Sequence, residues 1–136
     1  MIKQYDNSLA LVGRLLLAAL FLPAGISKIA GFEGTVGYIA SVGLPLASLA
    51  AIAAVVVEVA GGLALIAGFR TRIAALVLAL FTLAASVFFH AYWAAPADQQ
   101  MVTELLFFKN IAVVGGLLML AAFGAGAWSL DARRKA

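Results

Sequence analysis

The sequence contains no cysteine, a single histidine and only six acidic residues among 136. Without cysteine there is no disulfide framework and no thiolate to hold an iron–sulfur cluster. A single histidine, His90, excludes a bis-histidine haem and a multi-histidine metal centre. We therefore expect no metal, haem or iron–sulfur cofactor.

Charge is scarce as well. Charged residues make up 11% of the chain and hydrophobic residues 65%, whereas about 25% of a soluble domain is charged. The mean hydropathy is +1.12. Because there is too little polar surface to cover a water-soluble core, the composition excludes a soluble globule and indicates a protein of the lipid bilayer.

The apolar residues form four segments, each long enough for a helix of about 20 residues that spans a bilayer. The segments cover about 8–29, 45–69, 72–92 and 104–128. They are too long, and too rich in Ala, Leu and Gly, for barrel strands of about 10 residues. The sequence therefore predicts an all-α fold, an integral membrane four-helix bundle forming one domain over residues 1–136.

The connections support this division. The glycines of segment 31–44, followed by Pro45, are typical of a loop that ends one helix and starts another. The basic turn at 69–72 is short, so the second and third helices should form an antiparallel hairpin. The third connection, at 94–103, is expected to be a short polar loop.

Orientation follows from the basic residues, because lysine and arginine resist translocation. With four spans, both termini and the middle turn lie on one side, and that side holds most of the basic residues: Lys3, Arg70, Arg72, Arg133, Arg134 and Lys135. Both termini should be cytoplasmic. Topology explains the isoelectric point near 9.6, so nucleic-acid binding is not needed. The basic tail also suits attraction to anionic lipid.

One alternative is that the first segment is a cleaved signal peptide, because Lys3 precedes an apolar run with small residues near Ala24. The run lacks a clear A-x-A cleavage site and is long enough to span. We therefore expect it to be retained as a transmembrane helix.

Ionisable residues inside the spans are costly in lipid and are candidate functional groups. Glu58 lies near the middle of the second span, and small residues at four-residue spacing place it in a helix interface. We expect Glu58 to form a buried ion pair with Arg14 of the first span. This pair either fixes helix register or lets Glu58 carry protons or bind a head group.

A second polar cluster is expected toward the opposite side, at Lys28, His90, Lys109 and Asn110. With Pro23 bending the first helix, these side chains would line an apolar pocket with a few hydrogen-bond donors. Such a pocket suits a quinone, and it would also suit a lipid head group. The alternatives are lysines that snorkel to the interface and a histidine in the aromatic belt.

Several motifs resemble the DoxX family of small four-helix membrane proteins. They are Gly13-Arg14-Leu15 with Phe21, Gly25 and Lys28; Glu58 with Gly61, Gly62, Leu65, Gly68, Thr71 and Arg72; Phe108-Lys109-Asn110-Ile111-Ala112 with Gly115-Gly116-Leu117-Leu118; and Ser129-Leu130-Asp131. The resemblance runs from about Leu9 to Asp131. Each motif is short, but their order and spacing together are specific.

The resemblance implies a multi-pass protein of a bacterial inner membrane whose polar core includes Arg14, Glu58, Lys109 and Asn110. Members of the family are named for a membrane subunit of thiosulfate:quinone oxidoreductase or of a terminal quinol oxidase, and others are linked to oxidative-stress complexes. It therefore implies a redox-associated, quinone-linked subunit that works with a partner protein. A noncatalytic scaffold or assembly factor is the alternative, a small carrier or channel is a third, and a homo-oligomer is open.

Overall fold

The computed structural model describes residues 5–134, which contain six α-helices and no strand. The helices are α1 (Asp6–Ala30), α2 (Phe32–Ser41), α3 (Ala47–Ala67), α4 (Thr71–Phe89), α5 (Gln100–Phe123) and α6 (Leu130–Arg133). A 3₁₀ turn at Tyr92–Ala94 precedes α5. The prediction of an all-helical chain is confirmed for the described residues.

Four of these helices are long and apolar enough to cross a membrane: α1, α3, α4 with the following 3₁₀ turn, and α5. They correspond to the four predicted spans. α3 ends at Ala67 and α4 begins at Thr71, so the predicted tight hairpin is also confirmed. The cytoplasmic placement of the termini stays a prediction.

Three boundaries differ from the predicted ones, the first being the start of the last span, because α5 begins at Gln100 within the predicted loop 94–103. The segment 31–44, expected to be a loop, contains the ten-residue helix α2, which packs on α3 and buries Ile39. Glycine costs a helix interior about 1 kcal/mol, and this tertiary packing offsets that cost. The last span ends at Phe123 instead of Trp128, because Gly124 and Gly126 adopt positive φ angles of 87° and 77°.

Close helix packing arranges the spans in two pairs. α1 packs chiefly on α3, and α4 packs chiefly on α5. In the first pair, a Cβ added at Gly25 would lie 2.7 Å from the Val59 side chain, and one at Gly62 would lie 3.0 Å from Leu22 Cβ. Small residues at these crossings let the two backbones approach closely.

The bundle has two distinguishable ends. We call the end that carries Asp6, Ala67, Thr71 and Phe123 the terminal end, and the end that carries Ala30, Ala47 and Phe89 the opposite end. Residues 124–134, the C-terminal segment, pack across the terminal end. There the Ala127 N–H donates to Asn7 Oδ1 at 2.8 Å, and the Asp131 N–H donates to the Gly68 carbonyl at 2.8 Å.

The C-terminal segment also caps α4. The Asp131 carboxylate accepts hydrogen bonds from the N–H groups of Arg70 and Thr71, at 2.7 and 2.8 Å. A carboxylate at a helix N-terminus satisfies free N–H groups and opposes the helix dipole. Burial acts to raise the pKa of Asp131, but these hydrogen bonds and the nearby Arg134 charge outweigh it, so the pKa lies below its ordinary value.

Gly68 makes the turn between α3 and α4. It has a φ of 65°, a conformation that glycine adopts without strain, and its N–H bonds back to the end of α3. A Cβ at this position would collide with Ser129 Cβ and with the Arg14 guanidinium. The turn therefore requires glycine for two reasons, its backbone angle and its lack of a side chain.

We expect Gly68→Ala to lower the free energy of unfolding by about 2–4 kcal/mol, through backbone strain and overpacking together. Gly43→Ala is the matched control, because Gly43 also has a positive φ but open space around it; strain alone should cost about 1 kcal/mol there. Chemical unfolding in detergent micelles measures both variants. Equal losses at the two positions would contradict the contact with the C-terminal segment.

We expect Asp131→Asn to lower stability at pH 7 by about 1 kcal/mol, the usual value of a helix cap. Because the pKa is lower in the folded state, the carboxylate's contribution is fully present above the unfolded value, near 3.8, and is lost as the pH falls through the folded value. The difference in unfolding free energy between the two proteins should therefore shrink in acid. A difference that stayed constant down to pH of about 2 would show that the charge is not responsible.

Candidate functional site

A cavity of about 490 Å³ lies in the half of the bundle nearer the opposite end and is lined by α1 to α5. Its walls are mostly apolar, and alanines and phenylalanines such as Ala54, Ala85 and Phe81 are the commonest lining residues. Two lining residues, Tyr38 and Phe88, are about half exposed, at 54% and 49%. The cavity therefore reaches the outer surface of the bundle at membrane depth.

The polar residues of this cavity come from separate parts of the chain. They are Lys28, Thr35, Glu58, Thr82, His90, Lys109 and Asn110. All four residues predicted to bind a ligand, Lys28, His90, Lys109 and Asn110, are thus brought to one cavity. Their role in binding stays a prediction.

Glu58 forms an ion pair with Lys28 on the cavity wall. The Lys28 ammonium donates to Oε1 at 3.0 Å and to Oε2 at 2.9 Å. Glu58 is only 6% exposed, and a charge buried to that degree needs a partner. Gly25 contributes by allowing α1 close to Glu58, since a Cβ there would lie 3.1 Å from Glu58 Cβ.

The predicted pair of Arg14 with Glu58 is wrong, and the register of α1 against α3 explains why. Gly25 is level with Glu58 and Val59, and Arg14 precedes Gly25 by eleven residues, roughly 16 Å along a helix axis. That distance exceeds the length of an arginine side chain. The prediction relied on the long Arg14 side chain to reach the depth of Glu58, and the register of the two helices makes that distance too large.

Arg14 instead binds backbone carbonyls at the terminal end. It is fully buried, at 0% exposed, and its Nη1 donates to the carbonyls of Leu65 and Ile66 at 2.9 and 3.1 Å. Its Nη2 donates to the Trp128 carbonyl at 2.6 Å. A cation at the C-terminus of α3 satisfies free carbonyls and favours the helix dipole. Arg14 therefore joins α1, α3 and the C-terminal segment.

Three predicted site residues lie on the wall of the cavity formed by α5 and the end of α4, which we call the far wall. Asn110 is buried at 7% exposed, His90 is partly buried where α4 ends, and Lys109 is exposed at one edge. Among the described residues Lys109 has no salt-bridge partner. This wall therefore presents an amide, an imidazole and an unneutralised ammonium to any occupant.

Thr82, Ser86 and His90 recur at four-residue spacing along α4 and form a polar stripe, whose two hydroxyl groups bond within the helix. Thr82 donates to the Leu78 carbonyl at 2.7 Å, and Ser86 donates to the Thr82 carbonyl at 2.6 Å. Thr82 lines the cavity, whereas Ser86 does not. Of this stripe, only His90 has a polar group that is not used by its own helix.

Two hydroxyl-bearing lining residues, Thr35 and Tyr38 of α2, were not predicted from the sequence. They are three positions apart and so share a helix face. This spacing did not predict a common face because the segment was expected to be a loop. The Tyr38 ring lies 5.3 Å from the Phe89 ring, between centroids. This contact joins α2 to α4 beside the cavity.

Residues 5–134 contain no cluster of three or more His, Cys, Asp or Glu side chains that would hold a metal ion. The donors at the cavity are N–H groups and hydroxyls, and its one carboxylate is engaged by Lys28. Such a set is suited to an organic ligand that carries hydrogen-bond acceptors on an apolar body.

The fold and its apolar surface define a multi-pass helical membrane protein, and comparison with known proteins identifies its family. The DoxX family model matches residues 9–91. The inner membrane protein YphA of Escherichia coli strain K12 is 41% identical over 125 residues, covering 92% of this chain and 89% of that protein. The inner membrane protein YqjF of the same organism is 40% identical over 129 residues, covering 95% and 94%.

The chain belongs to the DoxX family and is a multi-pass inner membrane protein. A more distant relative is a Surfeit locus protein 4 homolog of Drosophila melanogaster, 26% identical over 131 residues, which cover 95% of this chain and 42% of that protein. No solved structure matches. The expected resemblance to the DoxX family is thus confirmed.

A double-mutant cycle tests the ion pair. We expect Lys28→Met and Glu58→Gln to be coupled by about 1–3 kcal/mol in unfolding free energy, because either single change leaves a polar group buried without its partner. The matched cycle combines Arg14→Met with Glu58→Gln and should be additive within about 0.5 kcal/mol, since these residues are not in contact. Coupling of Glu58 to Arg14 but not to Lys28 would overturn the assignment.

Proposed function

We propose that this protein is a quinone-linked membrane subunit that binds a quinone in the cavity and works with a partner redox protein. The observation that supports the proposal is the combination of an apolar cavity of about 490 Å³ with the donors of His90, Lys109 and Asn110 on one wall. A quinone has a flat apolar ring and carbonyl oxygens that accept hydrogen bonds, so it matches both features.

The far wall holds the ring in this proposal. The Lys109 ammonium and the Asn110 amide donate to one carbonyl oxygen, and His90 donates from the end of α4. The phenylalanines and alanines of the remaining walls exclude water from the ring. Because Tyr38 and Phe88 lie at the outer surface, the isoprenoid tail passes between them into lipid.

The Lys28–Glu58 pair faces the same cavity and gives it an exchangeable proton donor and acceptor at membrane depth. A bound quinone supplies the capacity to carry two electrons and two protons. The pair keeps two ionisable groups beside the ring while their charges balance, which limits the cost of holding them in a low-dielectric site. Its task in this proposal is to exchange protons near the ring.

The partner protein follows from the short connections. The segments between the spans are brief, and the longest holds only the helix α2. These connections have no room for a soluble catalytic domain or its flavin or metal centre. Electron transfer to or from the bound quinone therefore belongs to a second protein that docks on the bundle.

We expect the protein purified in mild detergent to retain quinone, measured by mass spectrometry of an organic extract, and to bind added ubiquinone-2. Lys109→Leu and Asn110→Leu should each weaken ubiquinone-2 binding about tenfold, the usual value of one hydrogen bond to a charged or buried group. Ala85→Phe should block binding by filling the cavity. Glu104→Gln is the control, because it removes a charge from α5 outside the cavity.

Wild-type protein that neither retains quinone nor binds ubiquinone-2 would reject this function. Binding that all three cavity variants leave intact would also reject it, because the quinone would then occupy another surface. Circular dichroism of each variant confirms that loss of binding does not reflect unfolding.

A further inference from the structure

A second concave site lies at the terminal end, about a membrane thickness away from the opposite end. This cleft, of about 620 Å³, lies between the α3–α4 turn, the end of α5 and the C-terminal segment. Its basic residues are Arg70, Arg72 and Arg134, and its apolar residues include Ile73 and Phe123. It shares no residue with the cavity.

Among residues 5–134, the positive charge of this cleft is only partly neutralised. Asp131 is the one acidic residue in its lining, and both of its oxygens accept backbone N–H groups, from Arg70 and Thr71. Within residues 5–134 the single ion pair is Lys28–Glu58, so no arginine of the cleft has a carboxylate partner there. Three guanidinium groups thus face one carboxylate.

The cleft is also positioned at the boundary between apolar and polar surroundings. α4 begins and α5 ends at its rim, where a spanning helix leaves the hydrocarbon. Phe123 of α5 and Ile73 of α4, which belong to the spanning helices, are 77% and 56% exposed. The Arg134 guanidinium is held over the Phe69 ring at 5.5 Å from its centroid.

We propose that this cleft binds the phosphate group of an anionic phospholipid. Guanidinium groups bind phosphate through paired, charge-assisted hydrogen bonds, and basic groups at the cytoplasmic surface attract anionic head groups. Free phosphate shares this chemistry, but the exposed Phe123 and Ile73 beside the arginines match the acyl chains of a lipid. The combination of charge and apolar surface therefore favours the membrane lipid as the source.

The test uses full-length protein, delipidated in neutral detergent and titrated with phosphatidylglycerol or phosphatidylcholine, with bound lipid counted by native mass spectrometry. Wild type should bind phosphatidylglycerol at least about tenfold more tightly than phosphatidylcholine, and Arg72→Gln with Arg134→Gln should remove that preference. The control is Arg133→Gln, which removes one positive charge from α6 at a residue beside Arg134 but outside the cleft. It should retain the preference.

Two further arms separate the sources and guard against misfolding. Inorganic phosphate at millimolar concentration should compete weakly with phosphatidylglycerol; competition at equal concentration would assign the cleft to free phosphate and overturn the lipid proposal. Arg72→Lys with Arg134→Lys keeps the charge and should restore part of the preference, which a misfolded variant would not do. Equal binding of the two lipids by wild type, or equal loss in Arg133→Gln, would overturn the proposal.

Discussion

The close packing of α1 against α3 determines where every buried charge of this protein finds its partner. Gly25 and Gly62 bring the two backbones together, and the resulting register places Lys28 beside Glu58 and Arg14 beside the carbonyls at the end of α3. A change of register by a few residues would leave two or three charges without partners, at a cost of about 3 kcal/mol each in lipid, which together is comparable to the stability of a typical domain. The charges and the glycines therefore enforce the same alignment.

Arg14, which is fully buried, and Lys28, which is partly buried, are stabilised by different kinds of partner. Lys28 is neutralised by a carboxylate that also lines a cavity. The two Nη atoms of Arg14 instead donate to backbone carbonyls, its buried Nε has no hydrogen-bond partner, and no acidic group lies within hydrogen-bond distance among residues 5–134. A guanidinium suits the second arrangement because its planar fork donates in several directions at once. At the terminal end the buried cation thus has a structural role, whereas toward the opposite end ionisable groups line the cavity.

Features that depend on a single helix were predictable from the sequence, whereas features that depend on contacts between distant segments were not. Hydropathy located all four spans, because lipid contact acts on each helix separately. The convergence of Lys28, His90, Lys109 and Asn110 also followed from their depth in the spans. Helix α2 was missed because its glycines are typical of loops, and only packing on α3 explains its helical state.

The Arg14 contacts could not be predicted from the sequence for a different reason. Charge pairing suggested an acidic partner, while the actual partners are main-chain carbonyls, which every residue possesses and which no sequence pattern distinguishes. The same holds for the Asp131 cap of α4. Both contacts depend on the path of the C-terminal segment, and that path depends on positive φ angles at Gly124 and Gly126.

The bond from Arg14 to the Trp128 carbonyl joins residues 114 positions apart. Spanning helices enter the bilayer in order as the ribosome releases them, so the first helix reaches the membrane long before its last hydrogen-bond acceptor has been synthesised. Until then the guanidinium has an incomplete set of partners. The hydrogen bonds of Arg14 are therefore completed only after Trp128 has been synthesised, and deletion of the C-terminal segment removes one of the contacts that hold α1.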